Sequence, residues 1–386
     1  MFILIIFGIG LGLGLAFGAA PLLTPSHNDW QPMAKALLRD LRQPSDQFYW
    51  LPKAEDEFHV LVKFNNFGLH APDYTLKKPA GVFRILVVGD SFPQGIQVEI
   101  EQGFPWLIQQ QLNRSNPGRK IEVINLSVDA YGTDRELLLY ALLGWQFEPD
   151  MVVLSVYAGN DIQDNDIDLE TRRYGRRLDR PFFTLENGQM NLHNSPVFSP
   201  ILYPHQPVFK WLTDMQARQS PPPPANPPER PTVIKTEPYT LEYPVEMGVY
   251  LPEDGHWKNA WALTEKLLLE FRTVTGFQNI PLAVVIIPDR RAVHDEDWTD
   301  TRSQYESVQP ALMTADVDAP ANRLEKWLTT AHIPVLNLTT VLRSWARSNP
   351  QGRAYFRGDG HFTPDGHAVS ANRIAGWLRA SGLVPG

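Results

Sequence analysis

Short, predominantly apolar runs that alternate with helix-forming stretches constrain this chain more than any other feature. Phe83-Arg84-Ile85-Leu86-Val87-Val88 ends in Gly89, Ile121 to Val128 forms a second run, and Asp150 to Tyr157 a third. Leu282-Ala283-Val284-Val285-Ile286-Ile287 and Ile333 to Leu338 supply two more. Runs of this length without polar alternation read as strands buried on both faces, as in a parallel sheet. Between them lie helical stretches at 103–114, from Thr133 through Leu143, at about 257–273 and at about 318–331. Thr133-Asp134-Arg135-Glu136 has the capping-box pattern, Pro105 is tolerated in a first turn, and Thr363-Pro364 reads as N-cap then N1 of a last helix.

Strands interleaved with helices imply an α/β fold, a three-layer α/β/α (flavodoxin-like) sandwich around a central parallel sheet. The alternation starts at residue 81 and breaks between about 162 and 256, a stretch that holds Pro221-Pro222-Pro223-Pro224 and seven prolines between positions 221 and 231. Such a segment favours extended polyproline conformation and cannot join a central sheet. It is therefore expected to be a surface insertion in a domain running from 81 to 386, with Asn187-Gly188 marking a hairpin turn. Arg172, Arg173, Arg176, Arg177 and Arg180 within it suit a solvated, salt-bridged loop better than an anionic substrate site. Residues 24–80 read as a polar connector wrapped on the domain.

From Met1 to Leu23 every residue is apolar, glycine or proline, and the first charge is Asp29. At 1.5 Å per residue, about 23 helical residues reach roughly 34 Å, enough to cross a hydrocarbon core of about 30 Å. Residues 1–23 are thus expected to be a transmembrane helix that anchors the chain, with a cleaved signal segment as the competing reading. Gly8, Gly10, Gly12 and Gly14 lack the preceding strand that a nucleotide loop needs and suit close packing in a membrane instead. A formal net charge of −8 with no basic stripe argues against nucleic acid as a partner. With no cysteine, disulfides, thiolate metal sites and Cys nucleophiles are excluded.

Ligand sites in such sheets gather at the carboxyl ends of the strands. Gly89-Asp90-Ser91-Phe92 follows the first run, Tyr131-Gly132-Thr133 the second and Gly159-Asn160-Asp161 the third, while Gly358-Asp359-Gly360-His361 precedes the final helix. Gly-Asp-Ser, a glycine, Gly-Asn-Asp and an Asp/His pair in this order resemble the four blocks of the SGNH (GDSL-like) hydrolase superfamily. The resemblance spans about residues 81–161 and 257–380. Each block alone is weak, whereas all four at strand ends are a strong signal. Phe92 stands where many members have leucine. The Asp-x-His spacing departs from the commoner Asp-x-x-His and resembles the branch that includes polysaccharide O-acetyltransferases.

The same residues argue for the chemistry independently. A serine hydroxyl is a weak nucleophile until a base takes its proton, and a histidine of ordinary pKa near 6.5 suits that task. The histidine in turn needs a carboxylate to orient it. Ser91 is the candidate nucleophile, His361 the base and Asp359 its orienting acid. The Ser91 N–H, the Gly132 N–H and the Asn160 amide are candidate oxyanion donors. Asp90 and Asp161 are expected to brace their loops through backbone hydrogen bonds. Asp-Gly-His occurs twice, and the second copy, Asp365 to His367, falls inside the first turn of the last helix, so the loop copy is favoured. A metal site would leave the serine and oxyanion blocks unexplained, and no cofactor is implied.

The expected activity is serine-dependent hydrolysis of an acyl ester of a glycan, lipid or small molecule, with O-acyl transfer to envelope glycans as the alternative reaction. A membrane-anchored binding protein that merely keeps the fold is the alternative from a different class. Export is the usual role of an N-terminal span ahead of a soluble domain. The expected location is accordingly the bacterial cell envelope, with the domain outside the cytoplasm, or secretion if the segment is cleaved.

Overall fold

A computed structural model describes residues 47–50, 57–116, 118–174, 180–194, 207–217 and 244–385. The apolar segment 1–23 and the proline-rich stretch 221–231 lie outside the described residues, as do Arg176 and Arg177. Among the described residues no helix is long and apolar enough to cross a membrane.

Five parallel strands form the central sheet: β3 (Val82–Gly89), β4 (Lys120–Ser127), β5 (Met151–Tyr157), β8 (Leu282–Ile287) and β9 (Val335–Asn337). They lie in the order β4-β3-β5-β8-β9. Counted along the sheet's own strands this is 2-1-3-4-5, the flavodoxin-like order, and the expected α/β fold with a central parallel sheet is observed. Such an order reverses direction between its first and third strands, and the crevice above that reversal is where ligands bind in open α/β sheets. Here the reversal falls between β3 and β5.

Alternate residues of each strand enter different cores, because successive side chains point to opposite faces. Leu86 and Val88, Ile124 and Leu126, Val152 and Leu154, and Val284 and Ile286 face the larger core. Helices Thr133–Leu142, Gly255–Gly276 and Ala319–Thr330 close it, for instance through Leu138, Phe271 and Leu328. Ile85 and Val87, Ile121 and Val123, Met151 and Val153, and Ala283 and Val285 face the other core. Helices Phe104–Ser115, Thr339–Ser348 and Pro364–Ala380 cover that side. Phe104, Ile108 and Leu112 recur every fourth residue, so one stripe of the helix meets the sheet. Helix Thr339–Ser348 is absent from the sequence reading. Only Val335–Asn337 pairs as an edge strand, and the chain turns helical immediately after Leu338.

The described parts of 162–256 are not a detached loop. Strands β6 (Phe182–Glu186) and β7 (Gln189–His193) pair antiparallel around Asn187 and Gly188, whose φ angles of 52° and 78° are those of a tight type I′ hairpin turn. Phe183, Leu192, Val208 and Leu212 from this stretch are buried in the larger core. Arg180 is buried rather than solvated: Nη1 donates to Asp134 at 2.7 Å and Nε to Glu170 at 2.7 Å. Arg173 donates to Asp164 at 3.2 Å. Nearer the N-terminus, β1 (Gln47–Trp50) pairs antiparallel with β2 (Val60–Lys63), and Phe67, Leu69 and Tyr74 pack into the larger core.

Ile286 is fully buried on β8 beneath the site end of the sheet. Replacing it with alanine removes buried methylenes and leaves a cavity, so Ile286→Ala is expected to lower stability by about 2–5 kcal/mol. Urea unfolding followed by tryptophan fluorescence measures that loss.

Candidate active site

Strand β3 ends at Gly89, where a Cβ would come within 2.6 Å of Pro93 Cγ and 2.9 Å of Ser155 Cβ. Glycine therefore lets the chain fold directly over the sheet edge into the short helix Ser91–Gln94. Asp90 caps that turn by accepting the Phe92 N–H at 3.0 Å, which sets Ser91 at the carboxyl end of the strand. Asp161 plays the same part after β5 by accepting the Tyr157 N–H at 2.8 Å.

The loop that carries His361 is a closed turn. Phe356 N–H donates to His361 O at 2.8 Å, Gly360 N–H donates to Phe356 O at 2.9 Å, and Tyr355 pairs antiparallel with Phe362. Within it His361 Nδ1 lies 2.7 Å from Asp359 Oδ1, and His361 Nε2 lies 2.7 Å from Ser91 Oγ. A carboxylate only accepts, so Nδ1 carries the proton and Nε2 is left to accept the Ser91 hydroxyl. The Phe92 ring stacks near the imidazole with centroids 5.1 Å apart and restrains it from one side. Burial pulls the His361 pKa down, but the hydrogen bond to Asp359 and the negative charges of Asp359, Asp90 and Asp129 outweigh it, and the net shift is upward.

The second Asp-Gly-His copy sits elsewhere. His367 is buried in the first turn of the last helix, where Nδ1 accepts the Phe104 N–H at 3.2 Å. Burial, followed by the charges of His361 and His70, pushes its pKa down to about 3. It is thus a neutral packing residue, and the structure brings Ser91 together with His361.

Gly132 and Asn160 follow β4 and β5, the two strands that flank β3, so they stand on either side of Ser91 along the sheet edge. Gly132, not Thr133, precedes helix Thr133–Leu142, and no side chain of its own caps the helix. The capping-box reading fails because Glu136 turns inward and is fully buried. Asn165 replaces it: Oδ1 accepts the Asp134 N–H at 3.0 Å, and Nδ2 donates to Thr264 Oγ1 at 2.9 Å. A Cβ on Gly132 would lie 2.7 Å from that same Asn165 Oδ1. Asn160 Nδ2 donates one hydrogen to Asp164 Oδ2 at 3.0 Å, which fixes the amide and leaves its second hydrogen for another acceptor.

Three carboxyl groups, Asp90, Glu136 and Asp161, are fully buried behind these loops. Burial pushes Asp90 up to about 7, and burial together with their mutual repulsion holds Glu136 and Asp161 well above the carboxylate range. Among the described residues no group of three or more His, Cys, Asp or Glu side chains is disposed to hold a metal ion. The sequence reading overlooks two groups here, Asn165 and Glu57. The Glu57 carboxylate accepts the backbone N–H groups of Arg357, Gly358 and Asp359. Neither lies in a motif, and only the folded chain brings them to the site.

A nucleophile, base and acid in hydrogen-bonded series at the switch point of a flavodoxin-like sheet define a candidate site for serine acyl transfer. Residues 258–385, one third of the chain and the part that carries Asp359 and His361, match the family model described as SGNH hydrolase-like domain, acetyltransferase AlgX. The resemblance to the SGNH (GDSL-like) hydrolases read from the sequence is thereby upheld. No curated protein matches the chain. Similar solved structures include a two-domain esterase active on acetylated mannans, at 11% identity and TM-score 0.38, covering 78% of this chain and 50% of that one. This chain therefore spans half the length of that esterase. An acetyl xylan esterase is similar at 14% identity and TM-score 0.38, covering 76% of this chain and 98% of its own. A lipase/acylhydrolase from Enterococcus faecalis is similar at 10% identity and TM-score 0.36, covering 78% and 96%.

Asn165→Ala leaves the buried Asp134 N–H without its acceptor and removes the donor to Thr264 Oγ1, which still donates to Ala260 O. It is expected to lower stability by about 1–3 kcal/mol, read from urea unfolding, with the loss centred on helix Thr133–Leu142 in amide hydrogen exchange.

Proposed function

We propose that this chain is a serine-dependent acyl-ester enzyme that forms an acyl-enzyme on Ser91 and passes the acyl group to water or to a hydroxyl acceptor. One observation carries the reading: two hydrogen bonds of 2.7 Å link Ser91 Oγ to His361 Nε2 and His361 Nδ1 to Asp359 Oδ1. In the proposed reaction Ser91 Oγ attacks the ester carbonyl carbon while His361 Nε2 takes the hydroxyl proton. Asp359 retains the Nδ1 proton and stabilises the imidazolium. The N–H groups of Ser91 and Gly132 and the Asn160 amide face the developing oxyanion, and each such donor is worth about 10²–10³ in turnover. His361 then delivers its proton to the departing alkoxide. An incoming water or alcohol, deprotonated by the same nitrogen, releases the acyl group and restores Ser91.

Transfer to a glycan hydroxyl is the second reading. Its support is the match of residues 258–385 to a model described as an acetyltransferase, together with the Asp-x-His spacing of Asp359 and His361. In this proposal residues 1–23 anchor the chain in the membrane of a bacterial envelope with the domain outside the cytoplasm, or are removed and the domain is secreted. The substrate is an acyl ester of a glycan, lipid or small molecule, with no cofactor and no nucleic acid involved. A C-terminal alkaline phosphatase fusion is expected to be active, and an inactive fusion overturns the orientation.

A fluorophosphonate probe is expected to add one equivalent to Ser91 of the folded protein and none to Ser91→Ala. Absence of an adduct on the wild-type chain would sink the enzymatic reading. His361 acts as a base only when neutral, and its pKa is raised above the ordinary value of about 6.5. The labelling rate should therefore rise with pH through a midpoint above that value. Asp359→Asn removes the largest of the contributions that raise it, moving the midpoint down and cutting turnover by as much as about 10⁴-fold.

A further inference from the structure

Glu57 stands 302 residues before Asp359, yet its carboxylate sits in the turn that carries Asp359 and His361. Three consecutive backbone N–H groups converge on it. Arg357 donates to Oε1 at 2.7 Å, Gly358 lies 3.1 Å from Oε1 and 3.0 Å from Oε2, and Asp359 donates to Oε2 at 3.0 Å. Successive N–H groups aimed to one side make a concave nest for an anion. Here the anion is a side chain of the same polypeptide. A Cβ on Gly358 would lie 3.1 Å from Glu57 Oε2, so the residue that permits this approach belongs to the nest itself.

Packing extends the contact to the second catalytic loop. Phe58, next to Glu57, packs against Phe356 at the start of the turn, with ring centroids 4.8 Å apart and the planes tilted by 49°. Phe58, Val60, Val62 and Phe64 form a buried cluster with Ile96, which lies just past the Ser91–Gln94 helix. The segment around β2 therefore touches both loops whose side chains must meet. From the other side of the turn the Arg290 guanidinium donates to the Arg357 carbonyl. The turn is bounded by a carboxylate on its N–H side and a guanidinium on a carbonyl.

We infer that Glu57 is a positioning residue: its carboxylate fills the nest at residues 357–359 and fixes where Asp359 holds His361 Nε2 against Ser91 Oγ. The inference rests on the acyl-transfer reading for its catalytic consequence, although the positioning itself does not. Glu57 touches no reacting atom. Its effect passes through the Asp359 backbone, whose N–H it binds while the Asp359 carboxylate accepts both the N–H and Nδ1 of His361. An unfilled nest leaves three aligned donors without an anion, and the turn is then free to shift the imidazole. A displacement of about 1 Å at a reacting group costs up to about 100-fold in rate.

The test uses the full chain with Glu57→Ala and Glu57→Gln. Fluorophosphonate labelling of Ser91 is expected to slow by about 10- to 100-fold in both. Formate or acetate should restore much of the rate to the alanine variant by occupying the emptied nest, whereas chloride at equal ionic strength should not. Glu57→Gln keeps the side-chain volume and sets an amide N–H₂ or a neutral oxygen against the donors, so added carboxylate should not rescue it. A purely structural loss would lower the melting temperature without carboxylate-dependent recovery. Histidine ¹⁵N NMR supplies a readout that needs no reaction: the His361 titration midpoint should fall toward the ordinary value in both variants as its bond to Asp359 loosens. If the wild-type chain is not labelled, the acyl-transfer reading fails, and the His361 titration still decides the role of Glu57. A wild-type midpoint for His361 in either folded variant overturns the inference.

Discussion

Strand β3 is paired on both edges and buried on both faces, and the site at its carboxyl end depends on that confinement. β4 lies on one side and β5 on the other, in parallel registers that run Val82 to Gly89 against Lys120 to Ser127 and Ile85 to Val88 against Met151 to Leu154. β3 and β4 end at the same level and β5 runs two residues farther, so the loops after them emerge at one edge of the sheet. Gly89 cannot carry a side chain where Pro93 and Ser155 press against it, so the chain turns at once and Ser91 has little freedom to wander. Fully burying a residue such as Val87 or Leu154 stabilises the fold by about 1.5–3 kcal/mol. The position of the serine is thus maintained by many such contributions, none of them made at the site.

Electrostatics adds a second constraint. Asp134, Asp164 and Glu170 are buried and are paired with Arg180, Arg173 and Arg135; the Arg180–Asp134 and Arg135–Glu170 pairs bolt the stretch after β5 to the helix after Gly132, and Arg173–Asp164 braces the stretch internally. Removing one member of a buried pair typically costs about 3–5 kcal/mol, because the other charge is stranded. Arg173 and Arg180 therefore act on the protein's own loops. Burial keeps Asp90, Glu136 and Asp161 protonated to higher pH, and the Arg135 charge offsets it only in part at Glu136. When Asp90 does ionise, its charge strengthens the proton affinity of His361, which ties that imidazole to the group that caps the turn at Ser91.

The strands were legible because runs such as Leu282–Ile287 are apolar on every position, a pattern that only two-sided burial tolerates. Helix Thr339–Ser348 was not, since it follows a three-residue edge strand with no turn signal between them. The capping box at Thr133 misled for a tertiary reason. Glu136 is needed inside the core face of its helix, and Asn165 from another loop accepts the Asp134 N–H instead. The two Asp-Gly-His copies are identical as letters; Thr363-Pro364 already marks the second as helical, and the hydrogen bond from the Phe104 N–H shows what holds His367.

By itself the sequence determined the five strands of the parallel sheet, most of the helices between them and the four short segments that carry chemistry, because each follows from local periodicity or from glycine and proline stereochemistry. Tertiary structure decided which of these segments meet. The hydrogen bond between Ser91 and His361 spans 270 residues of chain, and the bond from Asp359 to Glu57 spans 302. No local pattern encodes such distances. They are set by the strand order β4-β3-β5-β8-β9, which brings the carboxyl ends of β4, β3 and β5 to one edge. Glu57 illustrates the limit most clearly: in sequence it is one acidic residue in a polar stretch, and it becomes part of the site only when the turn at 357–359 directs three N–H groups toward it.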